Sequence, residues 1–246
     1  MSALTYRRAG LVTRDQTRGL SLSMVIFIGA VGVGFLLVAL LIVAMDGFDG
    51  PEARSVWENS AYATRYYPLA LGIMLTPVYL ALGVANGVTR RAFSLGAMGT
   101  VVVIAAIMAV FEAVGYALEN GLYQLAGLTQ ELTTPHLFDS GTQVWISVPE
   151  VGITVAGNVA AGLLIGTTYY RWGRLWPTIA LPLTFAPALA VEALMSVGWP
   201  GGLMIDLWGI ERRPLWLVIP TSLLVIALTF AATHVLVRTT AVHPQA

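Results

Sequence analysis

The 246-residue chain has no cysteine and no lysine; all 13 of its basic residues are arginine. Without lysine there is no Schiff-base amine and no phosphate-loop ammonium. Without cysteine there is no disulfide, no thiolate nucleophile and no thiolate metal ligand. Charge of either sign is scarce, at 11% of residues against about 25% in a soluble domain. So little charge cannot wet the surface of a 26.2 kDa globule, which excludes a soluble enzyme and a disordered chain. The formal net charge is zero, so there is no basic footprint for nucleic acid. Histidine occurs only at His136, His234 and His243, far apart and without the H-E-x-x-H spacing of a zinc pair. The G-x-S-x-G nucleophile elbow and the G-x-x-x-x-G-K-S/T phosphate loop are both missing, and Ser147 beside Glu150 has no base. The chain is therefore expected to catalyse no covalent reaction and to hold no metal or cofactor of its own.

What is present is apolar. Hydrophobic residues make up 57% of the chain, and the mean hydropathy is +0.77. A bilayer core needs roughly 20 apolar residues per helix. Six stretches qualify: residues 22–45, 67–88, 92–118, 148–170, 175–197 and 215–237. The first follows a basic tail, but its apolar run is about twice the length of a signal-peptide core, so it reads as a retained span. The expected fold is an all-α, polytopic membrane protein with six transmembrane helices. It divides into an N-terminal interfacial segment (1–21), the six-helix domain (22–237) and a short tail (238–246). Residues 122–128 are expected to form a short interfacial helix in the longest loop. Pro177, Pro182 and Pro187 recur in the fifth stretch and predict a kinked helix.

Arginine sets the orientation. With the N-terminus in the cytoplasm, that side holds Arg7, Arg8, Arg14, Arg18, Arg90, Arg91, Arg171, Arg174 and Arg238 with one acid, Asp15. The other side holds only Arg54, Arg65, Arg212 and Arg213, among nine acids. Both termini are therefore expected in the cytoplasm of a cell-membrane protein. All seven tryptophans fall near span ends, as interfacial anchors do. Arg7, Arg14 and Arg18 share one face at helical spacing, suited to anionic lipid, although Gly10 interrupts the opposite face.

A charge at the bilayer centre costs about 2.5–3.5 kcal/mol on insertion scales, so acids within spans need a reason. Glu150 sits near a span end and is expected to reach water. Glu112 and Glu192 lie deeper. Glu112, Tyr116, Glu119 and Tyr123 follow a 4-3-4 spacing on one helix face. Two readings stand: an interhelical hydrogen-bond patch, or, with Glu192, an acidic and aromatic lining of an outward-facing path for a cationic amphiphile. Asn158 followed by Gly162 and Gly166 points to close helix packing, within the chain or between subunits. Between the second and third spans, Gly87, Val88, Thr89, Arg90 and Arg91 form a short charged turn in which Thr89 is placed to cap the third helix.

The run Tyr66-Tyr67-Pro68-Leu69-Ala70-Leu71-Gly72-Ile73 leads through the second span into Gly87-Val88-Thr89-Arg90-Arg91, and Tyr169-Tyr170-Arg171-Trp172-Gly173 ends the fourth. Together these resemble actinobacterial permease subunits of type-2 ATP-binding-cassette exporters, over most of the chain. The resemblance implies a permease paired with an identical or homologous second permease, the path lying between them. It implies separate ATPase subunits that bind ATP and Mg. It makes Gly87, Val88, Thr89, Arg90 and Arg91 the coupling element, and places re-entrant helices between spans five and six, where residues 198–214 are short. A non-transporting immunity or assembly protein that binds an amphiphile or a partner is the alternative.

Overall fold

A bilayer offers backbone groups no water, so a span must satisfy its own hydrogen bonds, and a helix does so. The computed structural model describes residues 3–44, 52–209 and 214–241. It is mostly helical (84%), with eight helices among the described residues. These are α1 (Ala3–Ala44), α2 (Ser60–Ala85), α3 (Arg90–Leu125), α4 (Val144–Trp172), α5 (Leu175–Ile179), α6 (Leu181–Met195), α7 (Gly198–Trp208) and α8 (Leu215–Thr239). Five helices are long and apolar enough to cross a membrane, and six spans result if the bent pair α6–α7 counts as one. The all-α expectation misses one detail: β1 (Glu52–Arg54) and β2 (Thr129–Glu131) pair in parallel. Asp46, Asp49, Glu211, Arg212, Arg213 and His243 lie outside the described residues.

Helix α4 is the centre, packed against α2, α3, α6 and α8. Glycine decides how closely α2 approaches it. A Cβ on Gly72 would sit 2.3 Å from the Val159 carbonyl oxygen, one on Gly162 2.2 Å from that of Leu69, and one on Gly166 2.0 Å from that of Ile73. The Gly162–Gly166 face is thus an internal backbone-to-backbone seam, sealed beside it by Leu71, Leu75, Val159 and Leu163. Deep in the same seam, Thr76 and Thr167 exchange a hydrogen bond of 2.8 Å.

The N-terminal segment expected at the interface is helical. It is the first half of α1, which runs unbroken into the first span. Ala9, Val12, Gln16, Leu20 and Met24 recur every three or four residues and are buried, while Arg7, Arg14 and Arg18 stay exposed. Gly96 and Gly99 on α3 admit this stripe: a Cβ there would meet Val12 or Thr13 at 2.5 Å. Thr100 donates to Gln16 Oε1 (2.7 Å) and Thr13 to the Gly96 carbonyl (2.9 Å). Further along, Leu36, Leu37, Leu40 and Leu41 are exposed, as a lipid-facing helix requires.

The proline-bearing stretch breaks at Ala180 into α5 and α6, with Pro182 in the first turn of α6, where its missing N–H costs least. Helix α6 ends at Ser196, which adopts a left-handed conformation (φ 56°), and Gly198 follows at φ 64°. These two residues turn α7 away by 60°. Residues 122–128 form no helix of their own, because α3 continues to Leu125 and then turns at Gly127 (φ 74°).

Candidate functional site

The bundle has two polar ends. One is the short α2–α3 turn. The other gathers β1, β2, the 3-10 turn Trp57–Asn59 and residues 132–143 over the ends of α3 and α4.

At this loop end Glu119 is a tie between chain segments. Its Oε1 accepts from the Val56 and Trp57 amides (2.7 and 2.8 Å), and its Oε2 from the Ser55 hydroxyl and the Gln130 amide (2.5 and 2.6 Å). Four donors satisfy the carboxylate and hold residues 55–57 and β2 against α3. The indole of Trp57 lies flat on Gly115, where a Cβ would come within 1.8 Å of the ring, and it meets Phe35 and Phe111 edge-on. Trp57 is therefore buried and is no interfacial anchor. Trp145, Trp172, Trp176, Trp199 and Trp216 are exposed.

Beside this tie lies a buried chain of Glu58, His136 and Glu150. His136 Nδ1 is 2.8 Å from Glu150 Oε1, and its Nε2 is 3.5 Å from Glu58 Oε1. Glu150 also accepts from the Leu137 amide (2.6 Å). Glu58 accepts from the amides and hydroxyls of Thr133 and Thr134. Glu150 does not reach water, as its position near a span end had suggested; it is 2% exposed. Burial disfavours the imidazolium of His136, but its hydrogen bonds to Glu150 and Glu58 outweigh that and raise its pKa above the ordinary value. The ring stacks on Phe138 (4.5 Å) and meets Tyr116 edge-on. Thr134, His136 and Glu150 follow the order of a nucleophile, base and orienting acid, with Thr134 Oγ1 3.2 Å from Nε2. The Thr134 hydroxyl also donates to Glu58, which ties residue 134 to the 3-10 turn.

Deeper, Glu192 on α6 accepts from Asn158 Nδ2 (2.9 Å) and the Tyr66 hydroxyl (3.2 Å), joining α2, α4 and α6. Asn158 thus serves α6, while Gly162 and Gly166 serve α2. Arg65 is buried near Glu192 and Gly198; a Cβ on Gly198 would lie 3.1 Å from its Nη1. Arg65, His136 and Glu150 are also the charges that act on Glu112. Glu112 itself has no hydrogen bond of normal geometry on either oxygen; the Thr64 side chain is the one hydrogen-bonding group that acts on it.

The four expected path residues are thus brought to one end of the bundle. Glu112, Tyr116, Glu119 and Glu192 are each 1% exposed or less, so in this conformation they line no open path. Sequence reasoning missed Glu58, Arg65 and His136, which sit on three separate elements with no shared spacing.

At the turn end, Thr89 caps α3, accepting from the Ala92 amide (3.2 Å). The turn is clasped from both sides. Arg8 donates to the Gly87 carbonyl (3.1 Å), and Arg90 to the Arg238 carbonyl in the last turn of α8 (3.2 Å). The two arginines therefore differ: Arg90 is half-buried and bonded, and Arg91 is exposed. No protein-family model matches the chain, and neither a curated protein nor a solved structure matches it.

Proposed function

We propose that this chain is the membrane-spanning permease subunit of an ATP-driven exporter, with six spans, both termini in the cytoplasm and the α2–α3 turn facing a separate ATPase. The observation that carries the reading is the bent α6–α7 pair. Helix α7 has 11 residues, a length of about 16 Å against a hydrocarbon core of about 30 Å. In this reading α5 and α6 together form the fifth span, and α7, too short to cross by itself, is a re-entrant element between spans five and six rather than the second half of a broken span. The clasped turn supports the same reading, since a push there is delivered to α2 and α3 without slack, and through Arg90 to α8. ATP and Mg belong to the ATPase; this chain supplies the path and performs no covalent chemistry. Its partners are the ATPase subunits, a second permease and the lipid bilayer of the cell membrane. In an opened conformation Glu112, once it gives up a proton, and Tyr116 suit an amphiphilic, cationic substrate through carboxylate attraction and cation–π contact.

A second reading draws on the complete burial of Glu112, Tyr116, Glu119 and Glu192: a non-transporting immunity or assembly protein that sequesters an amphiphile. Affinity purification of the chain from its native membranes separates the two. The exporter reading expects a co-purifying ATPase with a phosphate loop, and ATP hydrolysis in the eluate. A chain recovered with no ATPase refutes it and leaves the second reading.

A further inference from the structure

The buried charges at the loop end do not balance. Five carboxylates, Glu58, Glu112, Glu119, Glu150 and Glu192, are each 3% exposed or less. Among the described residues, one arginine, Arg65, and one histidine, His136, stand against them, both buried. Even with His136 charged, acids are in excess by three. An isolated ionised carboxylate out of water is so costly that it takes up a proton unless donors compensate it.

The donors are distributed unequally. Glu119 has four, Glu58 has the amides and hydroxyls of Thr133 and Thr134 besides His136, Glu150 has His136 and the Leu137 amide, and Glu192 has Asn158 and Tyr66. Glu112 has none of normal geometry on either oxygen, and only the Thr64 side chain acts on it as a hydrogen-bonding group. Among the described residues, no ion pair within 4.0 Å joins Arg65 to any carboxylate. The groups that act on Glu112 are Arg65 and Thr64 from α2, His136 from the loop and Glu150 from α4; on its own helix, Tyr116 lies one turn away. Two cationic groups, Arg65 and His136, and one anion, Glu150, surround it, and no grouping of acids and histidine at metal-binding distance occurs among the described residues.

We infer that Glu112 is a proton-binding site: its carboxyl is held as the neutral acid within the bundle at neutral pH, and the ligand of this buried acidic cluster is a proton rather than a metal ion. The site does not depend on the exporter reading, since the charge imbalance is the same whether or not an ATPase binds. Tyr116, one turn along α3, lies with its Oη 3.4 Å from His136 Nε2, and His136 reaches the buried Glu58.

Infrared spectroscopy of the full chain in lipid nanodiscs tests the site through the C=O stretch of a protonated carboxyl. The parent at neutral pH should show that band. Glu112→Gln, a neutral near-isostere, should abolish it and unfold at the parent's temperature, whereas Glu192→Gln should leave it in place. Absence of the band in the parent, or its survival in Glu112→Gln, overturns the inference. If the Gln variant does not fold, Glu112→Asp decides: the band shifts in frequency if residue 112 carries the proton, and an unmoved band refutes the assignment.

Discussion

Replacing Gly166 by alanine probes the seam on which the bundle is built. The new Cβ would lie 2.0 Å from the Ile73 carbonyl oxygen, whereas carbon–oxygen contacts settle at about 3.3 Å or more. The obstacle is backbone, so no rotamer change can relieve it. Helices α2 and α4 must part locally by about 1.3 Å, the difference between those two distances. That opens the contacts of Leu71 and Leu75 with Val159 and Leu163, and overpacking of this kind costs about 1–3 kcal/mol. The upper end applies here, since Gly72 and Gly162 hold the same seam at 2.3 and 2.2 Å. Gly152→Ala is the control on the same helix, with its Cβ at an ordinary 3.5 Å from the Ala109 methyl. Gly32→Ala on α1 is a second, with nothing within 4 Å. Thermal unfolding of the purified protein in one detergent should give a clear loss for Gly166→Ala and none for either control. A Gly166→Ala protein as stable as Gly152→Ala would refute the claim that backbone proximity of α2 and α4 holds the fold.

Other consequences can be checked in the same preparation. Glu119→Ala strands donors from Ser55, Val56, Trp57 and Gln130, a loss of about 3 kcal/mol or more, and should expose the loop end to protease; unchanged stability and protection would return Glu119 to the path. The raised pKa of His136 means that its ion pairs stabilise fully below the ordinary imidazole pKa of about 6.5. That contribution is lost as pH rises through the higher folded value. Stability should therefore fall as pH rises from about 6.5 through that higher value in the parent and not in His136→Gln, and an equal slope in both would show that another group titrates. A reporter active only in the cytoplasm should work when fused after Arg91 or Arg174 and be silent within residues 122–139; the reverse pattern would invert the orientation.

Where the helices long and apolar enough to cross a membrane lie was legible along the sequence, because hydropathy is local and a helix closes its own backbone hydrogen bonds. The Thr89 cap and the Gly162–Gly166 seam were legible for a related reason: a cap and a small-residue face are set by spacing on one helix. Arginine asymmetry supplies an expected orientation, which no contact in the bundle tests. The tertiary structure decided the rest. Glu112 and Glu119 share a helix face and look alike in sequence. One receives four donors because residues 55–57 and 130 fold over it, and the other receives none of normal geometry. His136 stands 78 residues from Glu58 and 14 from Glu150, and only the parallel pairing of β1 with β2 and the loop behind it bring the three together. The continuity of α1 was likewise hidden, since Ala9, Val12 and Gln16 look like a poor apolar face until the glycines of α3 admit them. A polar side chain's state in a membrane protein depends on which donors reach it. Those donors come from segments far apart in the chain, so its role is fixed by packing and not by its own place in the sequence.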